Sequence, residues 1–252
     1  MLPVYEFIVD RIGRELKRRV ELIVGASFDQ FENGEFEAGF ICGLPYVQLV
    51  RQTPAPVALL AAPVISGGRY AGRPIYFSDV IVHRTSPVLT FAELRGRSWA
   101  YNDPDSHSGY NLTRHHLLHL GEIGGFFSRV VEAGFHQRAI RMVAAGEVDA
   151  TAIDSQVLAI ELRDHPELAD ELRVIEAFGP STIQPMVAAR HLPDVTKAEI
   201  RGVLLGMGND PAARAVLGQG FVDRFVPVTD ADYDDIRRKL VAAEEAGFLT
   251  LS

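Results

Sequence analysis

The chain has one cysteine, Cys42, in 252 residues, so no disulfide can form within it and a packed core has to supply its stability. Long apolar runs are missing too. The longest, Val57 to Ile65, contains Pro63 and is too short to cross a bilayer, which predicts no direct membrane insertion. Positive charge is in deficit: 25 Lys and Arg stand against 33 Asp and Glu, a formal charge of −8, and no basic run offsets it. That balance argues against nucleic acid as a partner.

Several catalytic signatures are also absent. There is no Walker-type phosphate loop, no Gly-x-Gly-x-x-Gly fingerprint and no Gly-x-Ser-x-Gly elbow around Ser108. His115 and His119 stand one helical turn apart, a spacing that can hold a metal. No metalloprotease motif accompanies them, and a polar helix face accounts for the pair. Neither metal, cofactor nor catalytic residue is expected. Met1 to Glu6 has no basic start, apolar core or small-residue cleavage site. The expectation is a chain that stays in the cytoplasm, or one whose export signal lies outside this sequence.

What is present describes an ordinary globular protein, 47% hydrophobic and 23% charged, long enough for one large domain or two lobes. Residues 3–19 read as an amphipathic helix with Tyr5, Ile8, Val9, Ile12 and Leu16 on one face. Strands are predicted at Val20–Val24, Phe36–Cys42, Val57–Ile65, Ile75–Val82, Leu172–Phe178 (broken by Gly179-Pro180) and Met186–Ala189. Helices are expected near 196–207 and 211–217 and from Thr229 to Ala246. The alternation predicts an α/β fold with mainly parallel sheets. An internal echo supports two similar lobes: Gly34-Glu35-Phe36-Glu37-Ala38 returns as Gly146-Glu147-Val148-Asp149-Ala150, each leading into an apolar run.

The chemistry concentrates at Asn102 to Leu112. Pro104 and Gly109 force a tight turn between a short apolar run and a helical pattern, and Ser106 and Ser108 fall where a helix's first amides have no internal partner. Exposed N–H donors, hydroxyls and the positive end of a helix suit an oxyanion; a simple Ser N-cap is the alternative. His136 opens a second helical pattern and is either a cap or a donor to a polar head group. Asp154 ends an apolar strand, where α/β sheets bind ligands, and either meets a ligand or caps the helix beginning at Ser155. Tyr5, Tyr46 and Tyr76 lie near element ends, where aromatics wall clefts or simply join a core.

Asp103-Pro104-Asp105-Ser106-His107-Ser108-Gly109-Tyr110 resembles the Asp-Pro-x-Ser-x-Ser-Gly motif of PhnD-like proteins, the phosphate/phosphonate-binding components of ABC importers. Gly34–Gly43, Tyr76–Val82, Phe91–Trp99, His136 with its helix and Gly146–Ser155 match in the same order. The resemblance implies a two-lobed type II periplasmic-binding-protein fold with the ligand between lobes, lobe 1 being residues 1–78 plus 188–252 and lobe 2 residues 79–187. It implies that Ser106, His107, Ser108 and Gly109 hold the ligand oxygens and that Tyr76, His136 and Asp154, with Tyr46 and Tyr5 more remotely, line the pocket. His107 stands where Thr is usual. Family members carry a signal peptide and a first strand before the helix that starts here near Pro3, so the resemblance also implies a truncated or cytoplasmic descendant. The function implied is capture of a small oxyanion for an ABC permease by lobe closure. A cytoplasmic enzyme on the same fold, like the dehydratases of menaquinone synthesis, and a ligand-sensing module are the alternatives.

Overall fold

Val4, Ile8 and Ile12 recur one turn apart, and all three are buried on one side of α1 (Leu2–Leu16). The protein is described by a computed structural model covering residues 1–25 and 27–251. These residues form two units, Met1–Ile75 with Thr182–Asp234 and Tyr76–Ser181 with Asp235–Ser252. The chain passes between units at 75/76 and 181/182, inside two long strands, and again at 234/235. The C-terminal helix therefore belongs to the second unit, where the sequence reading put it in the first. The segment that follows it packs there too: Phe248 and Leu251 join the second unit's core.

In the first unit α1 is followed by α2 (Asp29–Glu32), β1 (Ala38–Phe40), α3 (Gly43–Leu49) and β2 (Val57–Ile65). Cys42 is the N-cap of α3 and not part of a strand. In the second unit the order is β3 (Ile75–His83), β4 (Ser98–Tyr101), α4 (Leu112–His119), β5 (Arg129–Glu132), α5 (His136–Ala144), β6 (Ala150–Asp154), α6 (Ser155–Asp164), α7 (Leu168–Glu171) and β7 (Leu172–Thr182). The chain then gives the first unit β8 (Met186–Ala189), α8 (Asp194–Met207), α9 (Pro211–Leu217) and β9 (Val222–Val226), and ends in α10 (Asp234–Glu245).

The first sheet runs β1-β8-β2-β9, and its pairings are antiparallel. The second runs β5-β4-β6-β3-β7; β4 pairs parallel with β5 and β6, while β3 and β6 are antiparallel. The α/β class stands, but the first sheet is antiparallel and the second mixed, where mainly parallel ones were expected. The cause is the route of the chain: β8 enters the first sheet on the return from the second unit and so opposes both its neighbours. Two more expectations give way. Val20–Val24 is irregular and exposed, because no strand among the described residues lies beside it to share a ladder. Strand β7 continues through Gly179-Pro180 to Thr182, since an edge strand tolerates a proline that donates nothing.

The second sheet is buried on both faces. Along β4, Trp99 turns to a cluster with Phe91, Phe126 and Phe127, while Ala100 turns to Ile81, Ile140 and Ile153. Trp99 stacks on Phe127 at 4.9 Å between ring centroids. Covered on both sides, the sheet leaves its strand ends for polar chemistry. The echoed Gly-acidic segments have matching geometry: after Gly34 (φ 75°) two amides bond to the Gln30 carbonyl, and after Gly146 (φ 70°) two bond to that of Met142.

Candidate functional site

Beyond β4, Asp103 Oδ1 accepts the Asp105 N–H at 2.7 Å and turns the chain toward Ser106. Ser106 is the N-cap of a short π-helical turn, His107–Asn111, which runs on into α4. Its Oγ accepts the Gly109 N–H at 3.1 Å, and its carbonyl accepts the Asn111 N–H at 3.1 Å. Gly109 is required by space: a Cβ there would fall 2.0 Å from Oδ1 of Asn102. From β3, Ser78 Oγ donates to the Ser108 carbonyl at 2.8 Å and fixes the turn from behind.

The hydroxyls of Ser106 and Ser108 lie 3.4 Å apart, and that of Ser108 is 3.2 Å from Nε2 of His136, the first residue of α5. Two helix starts thus converge, each contributing the positive end of its dipole. Burial lowers the His136 pKa to about 4, so the imidazole is neutral near pH 7. Asp154 ends β6 directly across from Ser78. Its Oδ1 accepts the amides of Gln156 at 2.7 Å and Val157 at 3.4 Å, so it is the N-cap of α6. Burial, helped by nearby Asp79 and opposed by those two amides, pushes its carboxyl up to about 6.

A family model spans nearly the whole chain. The profile described as "ABC transporter, phosphonate, periplasmic substrate-binding protein" matches residues 2–233. The chain belongs to this family.

A phosphonates-binding periplasmic protein of Escherichia coli (strain K12) is 28% identical over 151 residues, 58% of this chain and 44% of that one, so less than half of that relative is matched. Among solved structures, a binding protein component of an ABC phosphonate transporter from Pseudomonas aeruginosa superposes with TM-score 0.84 at 18% identity, covering 96% of this chain and 81% of its own. PhnD1 from Prochlorococcus marinus (MIT 9301), in complex with methylphosphonate, gives 0.82 at 18% identity over 96% and 92%. These likenesses establish the fold, that of type II periplasmic binding proteins. Members of the phosphonate-binding family are binding proteins of transporters and not enzymes.

The second unit brings together Ser106, His107, Ser108, Gly109, His136, Asp154 and Tyr76. Within that group His107 behaves differently from its neighbours. Its side chain is wholly buried against Tyr76 (6.4 Å between ring centroids), Asn111 and Ser181. Tyr5 and Tyr46 lie in the first unit. Tyr5 sets its ring 5.2 Å from that of Phe40, and the Tyr46 hydroxyl donates to Asp230 at 2.8 Å. Sequence reasoning missed the supports: Ser78, Ser155, whose Oγ accepts the Phe77 N–H at 3.1 Å, and Asn111. The polar pair Ser78-Asp79 inside the mainly apolar run of β3 was the available signal for Ser78.

Proposed function

We propose that this chain is a solute-binding protein that captures a small oxyanion, phosphate, a phosphonate or a phosphate ester, for an ABC importer. The observation that carries the reading is the Ser106–Gly109 turn, whose hydroxyls meet the start of α5 at His136. Side chains offered there are neutral hydroxyls and a neutral imidazole, and helix-start amides add directed donors. Such a set holds an anion without a contacting cation. Asp154, with its carboxyl near 6, takes the proton of a monoprotonated ligand oxygen as a hydrogen bond. Tyr76, packed against His107 beside the turn, adds an apolar wall. The permease of an importer is the partner in this reading, and the exported location of the family goes with it.

The dehydratase alternative draws on the fold alone, and the family match speaks against it. Calorimetric titration with methylphosphonate, inorganic phosphate, sulfate and a small carboxylate tests the proposal. Micromolar or tighter binding of a phosphorus oxyanion, with weaker binding of the carboxylate, is expected. Binding of the carboxylate alone overturns it.

A further inference from the structure

A buried guanidinium needs acceptors, and those of Arg114 are carbonyls of the chain's own tail. Arg114 lies in α4 and is 6% exposed. Its Nη1 donates to the Leu249 carbonyl at 2.8 Å and the Phe248 carbonyl at 3.5 Å, and its Nη2 donates to Oδ1 of Asn111 at 2.9 Å. The guanidinium carbon sits 5.0 Å from the centroid of the Tyr110 ring. The Tyr110 hydroxyl in turn accepts the Leu251 N–H at 3.1 Å. The segment Phe248–Leu251 is thereby strapped across the root of the serine turn.

The donor directions along this network follow from one fact. An arginine only donates, so the Asn111 atom it meets is the carbonyl oxygen, and the other atom is the NH2. That NH2 lies 3.1 Å from Nδ1 of His107. Nδ1 must then be the acceptor, and the single proton of the neutral ring sits on Nε2, which is 3.0 Å from Oγ of Ser181. Asn111, His107 and Ser181 are all buried, so a reversed amide or the other tautomer would set two donors or two acceptors face to face without water to relieve them.

His107 is the residue between Ser106 and Ser108. We infer that Arg114 is a positioning residue for the oxyanion turn. With the tail docked it holds the Asn111 amide in one orientation, that amide selects the His107 tautomer, and the anchored ring keeps the 106–109 backbone in register. The inference rests on the proposed function only in taking this turn as the place where the anion binds.

The test uses the full chain labelled with 15N and long-range 1H–15N correlation of its histidines. Wild-type His107 is expected to carry its proton on Nε2 with Nδ1 bare. Arg114→Met removes the donors at similar volume; it is expected to give a mixed His107 tautomer and an affinity for methylphosphonate lower by about tenfold. Asn111→Asp keeps an acceptor for Arg114 but offers His107 only acceptors, so Nδ1 is expected to become protonated. An Arg114→Met protein that melts cooperatively with wild-type tautomer and affinity overturns the inference. So does a bare Nδ1 in Asn111→Asp, which stands in should Arg114→Met not fold. If wild type binds neither methylphosphonate nor phosphate, the proposed function fails, while the tautomer spectra still decide the relay.

Discussion

The Ser108 hydroxyl stands 3.2 Å from Nε2 of His136, and Nδ1 of that ring is buried without a partner among the described residues. A neutral imidazole has one donor and one acceptor nitrogen. With the proton on Nε2, the ring donates to Ser108 Oγ and leaves the serine's own proton free to point at a ligand. In the proposed function this arrangement would make Ser108 a donor to the oxyanion and His136 its orienter. Ser108→Ala is therefore expected to weaken phosphonate binding by about 1–3 kcal/mol. His136→Gln, which keeps an N–H donor, is expected to lose less than His136→Ala. Calorimetry on the three variants checks the order; equal affinity in Ser108→Ala and wild type removes the hydroxyl from the site.

Stability is expected to fall on acidification. Burial holds the pKa of His136 and His115 at about 4 and that of His107 well below its usual 6.5. Below 6.5 the unfolded chain binds more protons at these positions, so each contribution is present above 6.5 and lost as pH falls through the folded pKa. Asp154 acts in the opposite sense. Its folded pKa of about 6 lies above the unfolded 3.8, so its contribution is present below 3.8 and lost as pH rises through 6. Burial lowers His116 as well and raises Asp105; four imidazoles outweigh the two carboxyls, and the melting temperature should drop between pH 7 and pH 5.

Asp154→Asn isolates one of the opposing groups. Asparagine still accepts the Gln156 and Val157 amides as an N-cap, but the charge confined in protein at neutral pH is gone. At pH 8 the variant is expected to be more stable by about 1–3 kcal/mol, and its decline toward pH 5 should be steeper than that of wild type. Thermal melts across pH 5–8 decide it. A variant less stable than wild type at pH 8 would show that the carboxylate is stabilised by more than its two amides.

Val24 is 87% exposed and Ile23 57%, in a run whose composition is that of a buried strand. Nothing in the fold is lost when such positions become charged, and an exposed β-prone edge promotes association. Ile23→Lys with Val24→Glu is expected to change stability by less than about 0.5 kcal/mol while reducing self-association at high concentration. A clear loss of melting temperature would show that the run is packed in solution.

The same run marks where sequence stops being informative. Val20–Val24 has every local property of a strand, but a strand exists only where a neighbour completes its ladder, and composition does not reveal the neighbour. The elements that were legible have local causes: the spacing in α1, the short apolar run before Asn102, the Gly34 and Gly146 turns, the turn chemistry at 103–109. Strand direction, the placement of the C-terminal helix and the buried His107–Ser181 and Arg114–Leu249 contacts join residues far apart in the chain. They follow from topology. Ser106 and Ser108 could be read as candidates because a helix start announces itself locally; their supports could not.

Gly109 tests the fit of the turn without touching a donor. Its backbone is in no left-handed region, so alanine meets no conformational penalty there; the obstacle is Oδ1 of Asn102, 2.0 Å from the added carbon, with Cγ at 3.2 Å and the Asn102 amide nitrogen at 3.5 Å. Gly109→Ala must displace either the Asn102 side chain or the serine turn. It is expected to lower stability by about 1–3 kcal/mol and affinity by at least tenfold. Asn102→Ala removes the two closest obstructing atoms, so the Asn102→Ala/Gly109→Ala double variant should recover much of both losses. The cycle's coupling energy, measured by melts and calorimetry, is thus expected to be favourable and larger than about 1 kcal/mol. Additive losses in the double variant would mean that the Gly109 requirement comes from something other than the Asn102 side chain.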